Sequence, residues 1–214
     1  GYDQIFTASH GAIIEVACWA HARRNFFDAR TSDRLRAETA LAYIGQLYAI
    51  ERELRERIEK EWRDLPLAER ALQIAQVRQE RAQPVLEQFG AWLDAEAPRL
   101  LPKEPVRQAM EYARNQWAAL NRYCDDGRLA IDNNDAERAI RGIALGRKNW
   151  LFCGSDRGGH TAALHFSVIA SCLRHGHDPF AYLRDVYARL PILLAASPSP
   201  DQLRALLPDR WAAR

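Results

Sequence analysis

The chain has 214 residues, 48% of them hydrophobic, which is enough for one sizeable core, or one core with a helical appendage, and excludes a disordered chain. Thirty basic against 28 acidic residues leave a net charge of +2, so bulk charge does not announce a nucleic-acid binder, and any such role must come from local clustering. No apolar run approaches the ~20 residues that cross a bilayer and no charged-then-apolar leader opens the chain, so a soluble, cytoplasmic protein without a membrane partner is expected.

In chain order, GYDQIFTASHG reads as a short helical or irregular lead-in. The next run, AIIEVACWA, is rich in β-branched residues and is the best strand candidate. A single strand cannot satisfy its own backbone groups, so without partners it would be an orphan. Cys18 and His21 follow as Cys-x-x-His, at most half a zinc site, and no second pair of comparable spacing appears; packing or hydrogen bonding explains them more simply. Arg23 and Arg24 fit either phosphate contacts or a solvated helix start. From Asp33 to about Lys60 the pattern is one long amphipathic helix, with Leu41, Ile44, Leu47, Tyr48, Leu54 and Ile58 on its apolar face. Its opposed charges in ERELRERIEKE mark a solvated face. Pro66 ends it. Leu67 to about Ala97 gives a second helix, in which Pro84 should produce a kink or a division. Pro98 closes that helix, and PRLLPKEP reads as a linker. A third helix runs from about Pro105 to Asp125, with Trp62, Trp92 and Trp117 as packing anchors of the helical block.

The densest chemistry lies in DNNDAERAIRGIALGRKNWLFCGS, residues 132–155. Asn134 can cap a helix and Glu137 can reach back to it. Ala136, Ile140, Ile143 and Ala144 fall at i, i+4, i+7 and i+8, which predicts one buried face, with Glu137 at its edge and Arg141 one turn along. A capping carboxylate with an i,i+4 Arg partner accounts for Glu137 without catalysis; a half-buried carboxylate beside a cationic turn would equally hold a divalent metal near a phosphate backbone. Spacing does not choose between them. From Arg138 to Arg157 five basic residues, Arg138, Arg141, Arg147, Lys148 and Arg157, stand against a single acid, Asp156, which fits a phosphate footprint or a solvated basic turn. NWLFCGS suits a strand or a buried extended segment, and Asp156 to Gly159 a turn. Thr161 to about His175 is a strongly apolar helix, Pro179 opens another to about Leu190, and Pro200 a short one toward Leu207. His160, His165, His175 and His177 share no helix face with a carboxylate. Ser167 and His165 point to different faces, so a serine hydrolase is not supported. Cys18, Cys124, Cys153 and Cys172 show no paired spacing, as free thiols in a reducing compartment would not.

NNDAERAIR, GRKNWLFCGSDRGG and HTAALHFSVIASC resemble the C-terminal part of transposases of the insertion-sequence-66 family. So do CWAHARRNF at 18–26, DPFAYLRDVYARLP at 178–191 and LLPDRWA at 206–212, so the resemblance covers essentially the whole chain in order. It implies an Asp, Asp, Glu triad on a ribonuclease-H-like fold, with Glu137 matching the family glutamate as catalytic residue and metal ligand. Arg138, Arg141, Arg147, Lys148, Asn149, Arg23 and Arg24 are the implied DNA contacts. Both aspartates would precede residue 1, with Asp3 outside the triad. The chain opens on Gly1 and its one Met is Met110, which also suggests a truncated polypeptide.

The expected fold class is therefore mainly α: the C-terminal remnant of a ribonuclease-H-like α/β catalytic domain with a large α-helical insertion and one or two short strands. Residues 1–32 would end the core, 33–125 form the insertion, 126–176 carry the glutamate helix, basic turn and following helix, and 177–214 form a C-terminal helical element. The implied chemistry is DNA cleavage and strand transfer assisted by two Mg²⁺ (or Mn²⁺) ions. Its partners would be transposon-end and target DNA, with a homo-oligomer when ends are synapsed. A single carboxylate cannot hold two metals, so the chain alone should have weak Mg²⁺ affinity and no strand-transfer activity. Two rivals stay open: a non-catalytic helical nucleic-acid-binding or interaction module, and a standalone metal-dependent hydrolase built on Asp125, Asp126, Asp132 and Asp135.

Overall fold

The computed structural model describes residues 12–212, apart from the Trp150 side chain; the lead-in at 1–11, with Asp3, lies outside the described residues. The chain divides into two compact units, one up to Asp135 and one from Ala136 onward.

The first unit is helical. Helix α1 (Trp19–Ala29) buries Trp19, Ala22, Phe26 and Ala29, a three-four-three spacing that makes one face. Helix α2 (Arg34–Lys60) starts where Asp33 accepts a hydrogen bond from the Arg36 N–H at 3.0 Å and pairs with its guanidinium at 2.8 Å. Its buried residues Ala37, Ala40, Ile44, Leu47, Glu51 and Leu54 alternate three and four apart, a stripe that suits packing along a neighbouring helix. Helix α3 (Leu67–Glu96) supplies the neighbour through Ile74, Arg78, Ala82, Leu86, Phe89 and Leu93. The two run antiparallel: Arg36 at the start of α2 meets Glu96 at the end of α3 at 2.7 Å, and Arg81 meets Glu53 farther along. Pro84 does not divide α3. It is exposed, so the carbonyl it leaves without an N–H faces water rather than the core.

The single third helix expected over 105–125 is broken. Helix α4 (Pro105–Asn115) ends at Gln116, which leaves the helical region with φ −98° and ψ 9°. Helix α5 (Trp117–Asn121) and a 3₁₀ turn at Arg122–Cys124 follow. The break turns Trp117 edge-on to Trp19 and Phe89. Phe89 is the centre of the core, with Tyr43 stacked on it at 5.0 Å and Trp19, Phe26 and Trp92 within 6.1 Å. Trp62 is buried there as well, so the tryptophans serve as packing anchors.

No strand forms among the described residues, which corrects the expectation of one or two short strands. The β-branched run contributes an irregular stretch at 14–18 whose backbone is satisfied by the helical block. The Ala17 N–H donates to the Ala119 carbonyl at 3.0 Å, the Trp19 N–H to the Ile131 carbonyl at 3.1 Å, and the Arg122 guanidinium to the Glu15 carbonyl. Ile14 and Val16 remain exposed, because no neighbouring strand among the described residues covers them.

A buried ion pair joins α2, α3 and the turn beyond α5. Arg78 grips Glu51 through two hydrogen bonds of 2.8 Å, and its remaining nitrogen donates to the carbonyls of Tyr123 at 2.7 Å and Leu129 at 2.9 Å. Gly127 fits the same turn tightly: a Cβ there would lie 2.1 Å from the Ala71 carbonyl oxygen.

The second unit contains helix α6 (Asn134–Trp150, from its third residue onward), α7 (Asp156–Arg174), α8 (Pro179–Ala195) and α9 (Pro200–Arg204). α7 begins at Asp156 because Ser155 caps it through the Gly158 N–H, so the turn expected at 156–159 is helical. NWLFCGS forms no strand: α6 runs to Trp150, Leu151 turns the chain with φ 57°, and Leu151, Phe152 and Cys153 are exposed where a buried segment was expected. Among the described residues of this unit Cys172, Tyr182, Leu206, Pro208 and Trp211 are buried. Tyr182 donates to the Leu206 carbonyl at 2.7 Å, and the Trp211 indole to Asp185 at 2.8 Å, which fastens LLPDRWA to α8.

Candidate functional site

Glu137 lies at the end of the first turn of α6, and its residue is exposed. At about 100° per residue, Arg141 and Lys148 fall on the same stripe of the helix as Glu137, and Arg138 and Asn149 lie together on one flank. All five are exposed, so one broad face of α6 carries a carboxylate, an amide and three cations toward solvent. Arg147 is exposed on the other flank, between the positions of Ile140 and Ile143. An acid near the N-terminus and cations in the last turn also complement the helix dipole, which favours this order by a few tenths of a kcal/mol in any protein.

The apolar seam expected to bury one face of α6 is not buried. Ala136, Ile140 and Ala144 are exposed and Ile143 is half-buried; Ile140 keeps 60% of its surface accessible. The core of its unit is built by α7, α8 and the C-terminal segment, and no described side chain of α6 joins it. The helix begins at Asn134 itself, one residue earlier than a capping Asn134 would require. The Asn134 N–H is held instead by Asp132 Oδ1 at 3.2 Å, and the Tyr48 hydroxyl donates to Asp132 Oδ2 at 2.8 Å. Burial, and then the Asp132 carboxylate beside it, push the Tyr48 phenol far above its ordinary range, so it stays a donor.

The neighbouring acids do not gather into a site of their own. Asp126 closes on the Arg128 guanidinium and backbone, which hold its carboxyl down at about 2; Asp125 accepts from Gln79; Asp132 is spent on Tyr48 and Asn134. These are turn and cap roles. Among the described residues no three His, Cys, Asp or Glu side chains converge as metal ligands. Cys18 is buried ahead of α1 and His21 is exposed on it. Arg23 and Arg24 are exposed on α1, where Arg24 lies 3.9 Å from Asp28. In the second unit His160 and His165 each turn Nδ1 to the carbonyl four residues back, His165 meets the Tyr187 hydroxyl at 2.5 Å, and Ser167 bonds Ala163 instead of a histidine. The Tyr48–Asp132 pair has no local signature in sequence, since 84 residues separate its members.

Residues 1–161, which include α6 entire, match the transposase IS66 family. Three relatives from Sinorhizobium fredii (strain NBRC 101917 / NGR234) are similar along nearly the whole chain. The uncharacterized protein y4hP is 37% identical over 220 residues, covering 99% of this chain and 38% of its own length. The uncharacterized protein y4jD is 33% identical over 92% of this chain and 36% of its own length, and y4qI is 32% identical over 94% and 35%. The chain thus spans less than two fifths of the curated relatives it matches. No solved structure matches it.

Proposed function

The chain belongs to the IS66 family of transposases, and from that premise we propose that it is the C-terminal part of a DDE-type DNA transposase in which Glu137 is the glutamate of the triad. The observation that carries the reading is the exposed stripe of α6, on which Glu137, Arg141 and Lys148 share one face inside the family-matched region. A hard divalent ion takes carboxylate oxygens and keeps waters for its substrate, and an accessible carboxyl beside phosphate-seeking cations suits that donor chemistry. The residue that would hold Mg²⁺ or Mn²⁺ here is Glu137, and the ion when bound would supply Lewis-acid activation of water or a DNA 3′-hydroxyl.

The remaining roles belong to this chain's own cations. Arg138, Arg141, Arg147 and Lys148 neutralise and position backbone phosphate, Asn149 adds a neutral polar contact, and Arg23 and Arg24 extend the contacts on α1. The two aspartates are supplied by the rest of a longer polypeptide, a reading supported by the lack of three converging metal ligands among the described residues and by the apolar flank of α6 left exposed at Ile140. The remainder of the ribonuclease-H-like core, which residues 1–32 would end, belongs to the same longer polypeptide and would also cover Ile14 and Val16. The target is transposon-end and host DNA, acted on by a synaptic oligomer.

The test has two arms. A full-length transposase carrying this chain is assayed for Mg²⁺-dependent cleavage and joining of transposon ends, with and without Glu137→Gln; the variant should fall to background. The 214-residue chain alone should bind DNA without cutting it, and Arg141→Ala with Lys148→Ala should lower the salt slope of binding by about 0.9 per cation removed. Full activity of the Glu137→Gln enzyme, or cleavage by the isolated chain, refutes the proposal.

A further inference from the structure

We propose that Tyr48 is a positioning residue for Glu137: through Asp132 it fixes the residue at which α6 begins. The proposal rests on reading Glu137 as a metal ligand. The first N–H groups of a helix have no partner within it, and the group that captures one decides where the helix starts. Here the Asn134 N–H is captured by Asp132 Oδ1 at 3.2 Å. The other oxygen of the same carboxylate receives the Tyr48 hydroxyl at 2.8 Å, from the middle of α2. Asp132 therefore cannot swing away from Asn134 without also giving up Tyr48. The preceding residue is held as well, because Ile131 is buried in the core and its carbonyl accepts the Trp19 N–H at 3.1 Å.

A helix start fixed at Asn134 orders the first turn of α6, and Glu137 comes three residues on. Starting one residue later would rotate the capping set by about 100° and leave Glu137 nearer the frayed end. The mobility of a metal-ligating carboxylate is set in part by the groups that orient its backbone. Tyr48 makes no contact with metal or DNA in this scheme; it acts only through Asp132.

Hydrogen exchange of the 214-residue chain, read by mass spectrometry, tests the clamp. In Tyr48→Phe, amides of 132–141 should exchange about tenfold faster, as the loss of one hydrogen bond to a carboxylate implies, while the middle of α3 keeps its wild-type rate. Asp132→Ala should do at least as much. Asp132→Asn, which retains one carbonyl oxygen, should fall between. A Mn²⁺ titration of the full-length transposase carrying this chain, followed by water-proton relaxation, reads the positioning: Tyr48→Phe should weaken binding in the same direction as Glu137→Gln. Unchanged exchange over 132–141, or faster exchange spread equally over α3, overturns the clamp. Faster local exchange with Mn²⁺ binding unaltered, when Glu137→Gln does weaken it, overturns the positioning role. Mn²⁺ binding indifferent to Glu137→Gln defeats the metal reading itself, and the exchange data then still decide the clamp.

Discussion

Replacing Arg78 by Met should destabilise the first unit more than any loss of a surface charge. Glu51 and Arg78 are 8% and 4% exposed, and their two hydrogen bonds of 2.8 Å satisfy each other. Arg78→Met strands the Glu51 carboxylate without its partner, which costs about 3–5 kcal/mol. It also removes the donors to the Tyr123 and Leu129 carbonyls, at 2.7 and 2.9 Å. Against a typical domain stability of roughly 5–15 kcal/mol this is a large share. Glu51→Met alone should be comparably harmful, since it leaves a buried guanidinium. The double replacement should cost at least about 2 kcal/mol less than the sum of the two, because no charge remains unpaired, yet it should not recover wild-type stability while two carbonyls lack donors. Urea unfolding followed by tryptophan emission suits the measurement, because Trp19, Trp62, Trp92 and Trp117 lie in this unit. A shift below about 1 kcal/mol for Arg78→Met, or strict additivity in the double variant, would refute the reasoning.

Two further outcomes can be checked on the same chain. Hydrogen bonds from the Arg36 side chain and backbone hold the Asp33 carboxyl below its ordinary range, so its contribution is complete above about pH 4 and is lost as the pH falls through the depressed folded value. Asp33→Ala should therefore cost about 1 kcal/mol at pH 7, and the gap should close in acid; a gap that stays constant down to pH near 2 would contradict the assignment. Among the thiols, Cys153 is exposed, whereas Cys18, Cys124 and Cys172 are buried and burial pushes Cys124 up to about 11. A disulfide reagent at pH 8 should titrate one thiol rapidly in the native chain and four after denaturation, and Cys153→Ser should abolish the fast phase. Two or more fast thiols would show that these burial assignments are wrong.

The elements most legible in sequence were those whose apolar residues recur at helical spacing next to clear stops. Asp33, Pro66 and the stripe from Ile44 to Leu54 place α2 within a residue of where it forms. Helix α1 was hidden behind the β-branched run before it, although Trp19, Ala22, Phe26 and Ala29 carry a helical period of their own. That run reads as a strand because its side chains suit one, yet a strand needs a second backbone beside it, and none stands there among the described residues. The stripe of Ala136, Ile140, Ile143 and Ala144 has the period of a buried face, but period reports only that a face is apolar, not what covers it. The helix that bears Glu137 is legible in its spacing, but the basic turn expected at Arg147, Lys148 and Asn149 is instead the last turn of α6; the Glu51–Arg78 and Tyr48–Asp132 pairs join residues too far apart for any local pattern to reveal.

The bonds from the helical block to the start of α1 and the segment before it make that block hard to remove. Ala119, Leu120 and Arg122 hold the Ala17 amide, the Trp19 indole and the Glu15 carbonyl. Excising residues 33–125 and splicing the flanks with a short linker would strip three polar groups of their partners at once. Residues 33–125 thereby act as a splint for the backbone that precedes them, and a minimal version of this protein would have to keep them.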